Sequence, residues 1–322
     1  MSSRIASSSN PTVYYGEIKC QNSKCKNKAY WLSNGNYLCG IHSRYHEKIA
    51  LPKNPDAEQR IAVLMDTIYK DALQAGEASI AAGDVAGSIF TRKLRMMKPI
   101  PMEDGCFTIL PNRKAVSKYD VVLTMPALSP MVLGPVIHNQ PGLEPALTLE
   151  NFHQFNKVFA SEVNEKGDPL PVWKRRQKRG YADPVPHRYK LGSTKEEHLK
   201  AAHTGDDADA CLYSIFAGKK YSYVQSRVFY CTYYERLARQ TVELATLASM
   251  LYDKHQSIII AGYDARDIPV NAGVTDEMVE SWYYGESQPF GYEMILHAIL
   301  YFWYAPEELP WRKAAAEMGI EL

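Results

Sequence analysis

The pattern of apolar and polar positions divides the chain unevenly. Apolar residues first recur at helical spacing after Asp56, where Ile61, Leu64, Met65 and Ile68 form one stripe. Asp56 with Gln59 three residues on is a helix-start signature, so a helix is expected there, docked through its stripe on the main body. Residues 75–120 show no clear period. VVLTM, from Val121, has the composition of a short buried strand. Residues 149–159 (LENFHQFNKVF) read as a helix. It has Leu149, Phe152, Asn156 and Phe159 on one side and Glu150, Gln154 and Lys157 on a polar ridge.

Periodicity fades over 161–209, which reads as an inserted, partly mobile loop. Two helical stretches follow over 226–256, the first with Tyr230, Tyr233, Tyr234 and Leu237 on one face. Residues 257–262 (SIIIAG) form a buried strand by composition. One further helix is expected near 274–284. Another opens at Ser287-Gln288-Pro289 and is apolar nearly all round, hence central to the core. Glu293 and His297 lie one turn apart on it and read as a capped or hydrogen-bonded pair at its edge.

Composition narrows the class of protein. The 322 residues suffice for one large domain or two ordinary ones, and a net charge of +1 means that any nucleic-acid binding comes from a local patch. No apolar run is long enough to span a bilayer. The Ser-rich N-terminus lacks the apolar core of a secretory signal and reads as a disordered tail over 1–13. A reducing, intracellular location follows, cytoplasmic or nuclear. There, clustered cysteines favour metal, while scattered ones such as Cys106, Cys211 and Cys231 favour packing.

The clustered cysteines carry the most specific motif. Cys20, Cys25, Cys39 and His42 have the spacing C-x4-C-x13-C-x2-H, a Cys3His donor set for structural zinc, with His46 as a substitute ligand. The intervening AYWLSNGNYLC predicts a hairpin turning at Asn34-Gly35. A reduced cysteine pair with an unrelated histidine is the plainer alternative. Lys19, Lys24, Lys26 and Lys28 with nearby aromatics make this module, residues 14–46, a candidate nucleic-acid contact, as is the basic run 173–180 (WKRRQKRG). A solvated charged surface accounts for either equally simply.

Tyr263-Asp264-Ala265-Arg266 leaves the end of the buried strand, where loops held by a rigid scaffold often act. A plain turn capped by the aspartate is the alternative.

Three segments, in order, resemble the NADAR family of N-glycosidases. Leu128-Ser129-Pro130-Met131 is similar to the family's L-S-N-F segment. Residues 149–157 (LENFHQFNK) resemble its V-E-H-Y-F-Q-A-Q-K helix, and Ile260-Ala261-Gly262-Tyr263-Asp264 resembles its strand-then-Asp segment. The family's Asp-x-x-Trp-Gly pattern and its Asn-x-x-Gly near the last helix are absent.

The resemblance implies an α+β, helix-dominated fold. It comprises a zinc module over 14–46, a linker and docking helix over 47–120, and a core over 121–322. It implies hydrolysis of a ribosyl C–N bond in an ADP-ribosyl or related nucleotide. Glu150 is the key carboxylate, Asp264 and Tyr263 assist, and Gln154, Lys157 and Arg227 bind substrate. Catalysis needs no cofactor, and the zinc is structural. Without the resemblance, Glu150 is equally an ordinary first-turn glutamate favoured by the helix dipole.

The competing expectation is a non-catalytic, zinc-containing interaction protein. The combination of modules is also similar to proteins of large DNA viruses, which adds a virion-associated location to the expectations.

Overall fold

The computed structural model describes residues 19–22, 25, 29, 31–38, 47, 49–51, 55–95, 100, 103–112, 122–187, 211–269 and 272–321, with residues 50, 55–58, 60–66 and 68–69 described by their backbone alone. The chain forms two compact units, Met1–Thr67 and Ile68–Leu322. It is α+β, with eight α-helices and three small sheets among the described residues. None of these helices is long and apolar enough to cross a membrane.

The first unit holds an antiparallel sheet in the order β2-β1-β3, from β1 (Trp31–Ser33), β2 (Asn36–Leu38) and β3 (Ile49–Ala50). Asn34 and Gly35 have φ of 47° and 76°, the two left-handed residues that a tight hairpin turn requires. The turn therefore falls where Asn34-Gly35 placed it. Gln21 and Tyr37 exchange two hydrogen bonds of 2.8 Å, which lays the chain beside Cys20 along β2. Cys20 is buried and Cys25 half-buried; Cys39, His42 and His46 lie outside the described residues.

Helix α1 (Pro55–Ala82) covers the expected start near Asp56 and is much longer than its apolar stripe suggests. The side chains of Ile61, Leu64, Met65 and Ile68 lie outside the described residues.

The second unit is built on a parallel sheet in the order β4-β10-β5-β6, from β4 (Ile89–Lys93), β5 (Cys106–Leu110), β6 (Leu123–Thr124) and β10 (Ser257–Gly262). Two of its strands come from the stretch assigned to a linker and docking helix, so the core begins well before residue 121. β5 is buried along its whole length and has no alternation to betray it, and β4, an edge strand, buries only the adjacent Phe90 and Thr91, which leaves no period either. All five residues of β5 and five of the six in β10 are buried.

A second, antiparallel sheet runs β7-β8-β9, from β7 (Lys157–Phe159), β8 (Cys211–Phe216) and β9 (Lys219–Tyr221). It shortens the helix expected over 149–159. Helix α2 (Leu149–Phe155) starts where Thr148 Oγ1 caps the Asn151 amide at 3.1 Å. It stops because Asn156 folds its side chain back on Phe152 O at 3.0 Å and Lys157 pairs with Ser214 in β8.

Part of the expected loop over 161–209 is helical. Helix α3 (Pro171–Tyr181) contains the basic run, with Trp173, Arg176, Gln177 and Tyr181 turned inward and Lys174, Arg175, Lys178 and Arg179 outward. Residues 188–210 lie outside the described residues.

Helices α4 (Tyr223–Ala238), α5 (Val242–Tyr252), α6 (Asp276–Tyr284), α7 (Tyr292–Tyr301) and α8 (Pro310–Glu317) complete the unit. Helix α4 begins with a capping box between Ser222 and Gln225. Helix α7 starts at Tyr292, not at the Ser287-Gln288-Pro289 expected to open it. Arg227 Nη2 holds Gln288 O at 3.3 Å, and Gly291 is extended, so residues 287–291 run outside the helix. From Tyr292 to Leu300 every residue of α7 is buried, as its all-round apolarity requires.

One buried ion pair ties helix α3 to the turn that follows β7. Arg176 binds Glu162 through Nε and Nη2 at 2.6 and 2.9 Å, and Nη2 also donates to Lys157 O at 2.6 Å. Its guanidinium lies 5.5 Å from the Phe155 ring centre and 5.3 Å from that of Phe159. Removing one partner strands the other charge in the interior. Arg176→Ala is therefore expected to cost about 3–5 kcal/mol, read from urea unfolding. A double Arg176→Met/Glu162→Leu variant should recover most of it.

Candidate functional site

The carboxyl end of β10 opens into a cavity of about 430 Å³, within the usual size of small-ligand sites. All three segments singled out above meet there. Ser129, Pro130 and Met131 supply one edge, Glu150 and Gln154 of α2 a second, and Tyr263 and Asp264 a third. Lys157 and Arg227 also line it, so every proposed catalytic and substrate-binding residue faces one space. The pieces are locked together locally. The Glu150 amide donates to Pro130 O at 2.9 Å, and Tyr234 Oη donates to Leu128 O at 2.8 Å.

Glu150 sits in the first turn of α2, is 6% exposed, and belongs to a polar chain. Lys157 Nζ donates to Gln154 Oε1 at 3.0 Å, and Gln154 Nε2 donates to Glu150 Oε1 at 3.0 Å. The ridge anticipated for one helix thus exists, although Lys157 reaches it from β7. Loss of water lowers the Lys157 pKa, with Cys211 and Glu150 acting the other way. The Lys157 carbonyl is fixed by Trp173 Nε1 at 3.0 Å and by Arg176. Arg176 is thereby committed inside the fold and is no member of an outward phosphate-binding patch with Lys174 and Arg175.

Arg227 is 5% exposed. Its Nη1 donates to Tyr283 O, its Nη2 to Gln288 O, and its Nε has no hydrogen-bond partner. No carboxylate pairs with it among the described residues. Its guanidinium lies 4.8 Å from the Tyr223 ring centre, beside the cavity. Arg266, the last residue of the Tyr-Asp-x-Arg run, turns away to Trp282 O at 3.2 Å.

Much of the remaining wall is aromatic or imidazole; of these residues the sequence offers only Tyr230, for stacking on a base or equally for core packing. Tyr223, Phe290 and Tyr292 line the cavity, as do Tyr230 and His153. The His153 and Tyr230 rings lie 4.5 Å apart. Burial and then the Lys157 charge hold His153 well below its ordinary pKa, leaving a neutral imidazole. Burial and then the Glu150 charge push Tyr230 well above its own, so it stays a phenol. His153 was detectable as the one ring on the polar side of α2. Tyr230 is a candidate for stacking from the sequence, whereas Tyr223, Phe290 and Tyr292 are not, because aromatic residues serve a core equally well.

Glu293 and His297 are 0% and 1% exposed, inside α7 rather than at its edge. Neither side chain makes a hydrogen bond of good geometry among the described residues, although the amides at 293 and 264 and the Tyr292 hydroxyl lie close to the Glu293 carboxyl and the Ile89 backbone lies close to His297. Burial raises Glu293 to about 7, with the charge of Asp264 adding to it and the amides at 293 and 264 only partly offsetting it. Burial lowers His297 to about 4.

The fold and the cavity define an α+β protein with a charged, tyrosine-walled pocket at the end of a buried parallel strand. The chain matches no protein-family model, no characterised protein and no solved structure.

The two buried groups of α7 oppose each other in pH dependence. Glu293, raised on folding, stabilises below its unfolded value near 4.5 and loses that contribution as pH rises to about 7. His297, lowered on folding, stabilises above 6.5 and loses its contribution as pH falls to about 4. The slopes nearly cancel in the native protein between these limits. Glu293→Gln should expose a loss on the order of 3 kcal/mol on acidification, and His297→Gln a loss of similar size on raising the pH. Denaturant unfolding across pH 4.5–7 reads both, and slopes identical to the native protein's would contradict the assignment.

Proposed function

We propose that this protein is an N-glycosidase that hydrolyses a ribosyl C–N bond in an ADP-ribosyl or related nucleotide substrate. The observation that supports it most is the convergence of Glu150, Gln154, Lys157, Arg227, Tyr263 and Asp264, from four separate places in the chain, on one cavity. The resemblance to the NADAR family points to the same site through Glu150, Gln154, Lys157 and Asp264.

Cleavage of such a bond develops positive charge at the anomeric carbon. The Glu150 carboxylate, oriented by Gln154, faces the cavity where it can stabilise that charge and take a proton from the attacking water. The water oxygen bonds to the anomeric carbon, and the pair of the C–N bond leaves with the base. Tyr263 or Asp264 steadies the departing base or a ribose hydroxyl from the strand end. Arg227, without a carboxylate partner among the described residues, suits a phosphate. Lys157 serves Glu150 through Gln154 and adds positive potential. Tyr223, Tyr230 and Phe290 offer apolar faces to a base.

Zinc has no part in this chemistry. The Cys3His set remains a proposed structural site, supported by the hairpin and by the bonds that bring Cys20 beside the strand leading to Cys39. Metal analysis of the intact chain is expected to show zinc that Cys20→Ser abolishes.

The test of the activity is release of free ADP-ribose or ribose phosphate from ADP-ribosylated guanosine and riboflavin-pathway intermediates. Glu150→Gln keeps the shape and removes the charge, and should lower kcat by about 10²–10⁴-fold with KM little changed. Absence of product from the folded, zinc-replete native protein would refute the glycosidase. The alternative, a zinc-containing protein that binds nucleic acid or another protein, has one feature in its favour: the four outward cations of α3. Salt-dependent RNA or DNA binding, weakened by Lys174→Ala/Arg175→Ala, would point to it.

A further inference from the structure

Glu293 has no role in the scheme above, yet the fold is shaped around it. Its carboxyl group occupies the space that a side chain at position 262 would need. A Cβ added to Gly262, the last residue of β10, would collide with the Glu293 carboxyl. A Cβ at Gly291 would come within 2.7 Å of Asp264 Cβ and 3.0 Å of Glu293 Oε2. Neither glycine has a positive φ, so space rather than backbone conformation excludes a side chain at both. Two glycines thus make room for a fully buried carboxyl pressed against the turn that carries Tyr263 and Asp264. An aliphatic residue would fill that volume without placing two polar oxygens in the interior, where neither makes a hydrogen bond of good geometry among the described residues.

The groups facing it are consistent with a neutral acid. Asp264 faces it from the end of β10, and Tyr292 adjoins it on α7. Tyr230 and Tyr234 face it from α4; burial pushes both hydroxyls up, and the Glu293 charge adds to it. His297, one turn further along α7, is uncharged at neutral pH. On β4, which also packs on α7, Thr91 donates to Arg266 O at 2.6 Å and touches Met294 Sδ. Arg92 is engaged with Ile268 O and with Glu103 at 2.8 Å. Lys93 is exposed, and its amide bonds Asp267. No cation among the described residues compensates a charge on Glu293.

We propose that Glu293 is a positioning residue for Asp264, a neutral buried acid that fills the Gly262–Gly291 gap and holds the Tyr263-Asp264 turn in place. When Glu293 ionises, two carboxylates crowd the Gly262–Gly291 gap, the Tyr263-Asp264 turn is pushed from its place, and the pocket disfavours an anionic ligand. This makes ligand binding proton-linked through a residue that does not touch the ligand. It rests on the nucleotide reading of the pocket only for the choice of ligand.

Two measurements on the full-length protein test it. The first follows the Glu293 carboxyl by carbon NMR, assigned by its absence in Glu293→Gln, in the native protein and in Asp264→Asn. A midpoint well above that of an exposed glutamate, falling when Asp264 loses its charge, is expected. An ordinary midpoint, or one indifferent to Asp264→Asn, overturns the proposal. The second measures ADP-ribose affinity by calorimetry from pH 6 to 9. The native protein should weaken by up to about tenfold per pH unit above the midpoint, and Glu293→Gln should remove that dependence while still binding. Binding that weakens equally in both proteins overturns the linkage. If ADP-ribose binds neither protein at any pH, the nucleotide reading fails, and the NMR titration still decides the carboxyl pair.

Discussion

The burial of β10 is the constraint on which the site depends. Ile258 to Gly262 are enclosed between β4 and β5 and beneath α7 and α5. A strand hydrogen-bonded on both edges and covered on its faces cannot shift by a residue without exposing its apolar side chains. The first residues beyond it, Tyr263 and Asp264, are therefore delivered to a fixed point. Ligand sites in parallel sheets commonly form just past the carboxyl ends of the strands, and this cavity lies there.

The opposite wall is fixed by other means. Helix α2 is only seven residues long, too short to be stable from propensity alone. Its position comes from Phe152 and Phe155, which are fully buried, and from the Thr148 cap. The strand that follows carries Lys157, whose carbonyl is held by Trp173 and Arg176 and whose ammonium reaches back to Gln154. A basic helix outside the pocket thus sets the orientation of a carboxylate inside it, through Lys157 and Gln154.

The pocket mixes both signs of charge at separate places: Glu150 with the Lys157–Gln154 chain on one wall, Arg227 on another, and Asp264 at the strand end. Such a distribution suits a ligand that is itself anionic in one part and develops positive charge in another. It also explains why Glu293 matters although it lies behind the wall. In a region of low polarisability, one more uncompensated charge near Asp264 changes the balance of the whole site.

The sequence by itself determined those features that depend on local pattern. It located the Asn34-Gly35 hairpin turn, the SIIIAG strand to the residue, the helices over α4, α5 and α6, and the start of α2 at Leu149. The six residues that line one cavity were reached through the resemblance to a known family, since local pattern alone leaves Glu150 an ordinary first-turn glutamate and the Tyr-Asp pair a plain turn. Tertiary structure decided the rest. Strand β5 is buried throughout and the edge strand β4 buries two adjacent residues, so neither leaves a period to read. Lys157 left its helix because β8 offered it a partner more than fifty residues away in the chain. The basic run turned Arg176 inward because Glu162 was there to receive it. Glu293 became a buried acid rather than a solvated helix-edge residue because Gly262 and Gly291, remote in sequence from each other, left a gap of its size. In each case the deciding energy comes from a partner distant along the chain, and local pattern carries no record of such a partner.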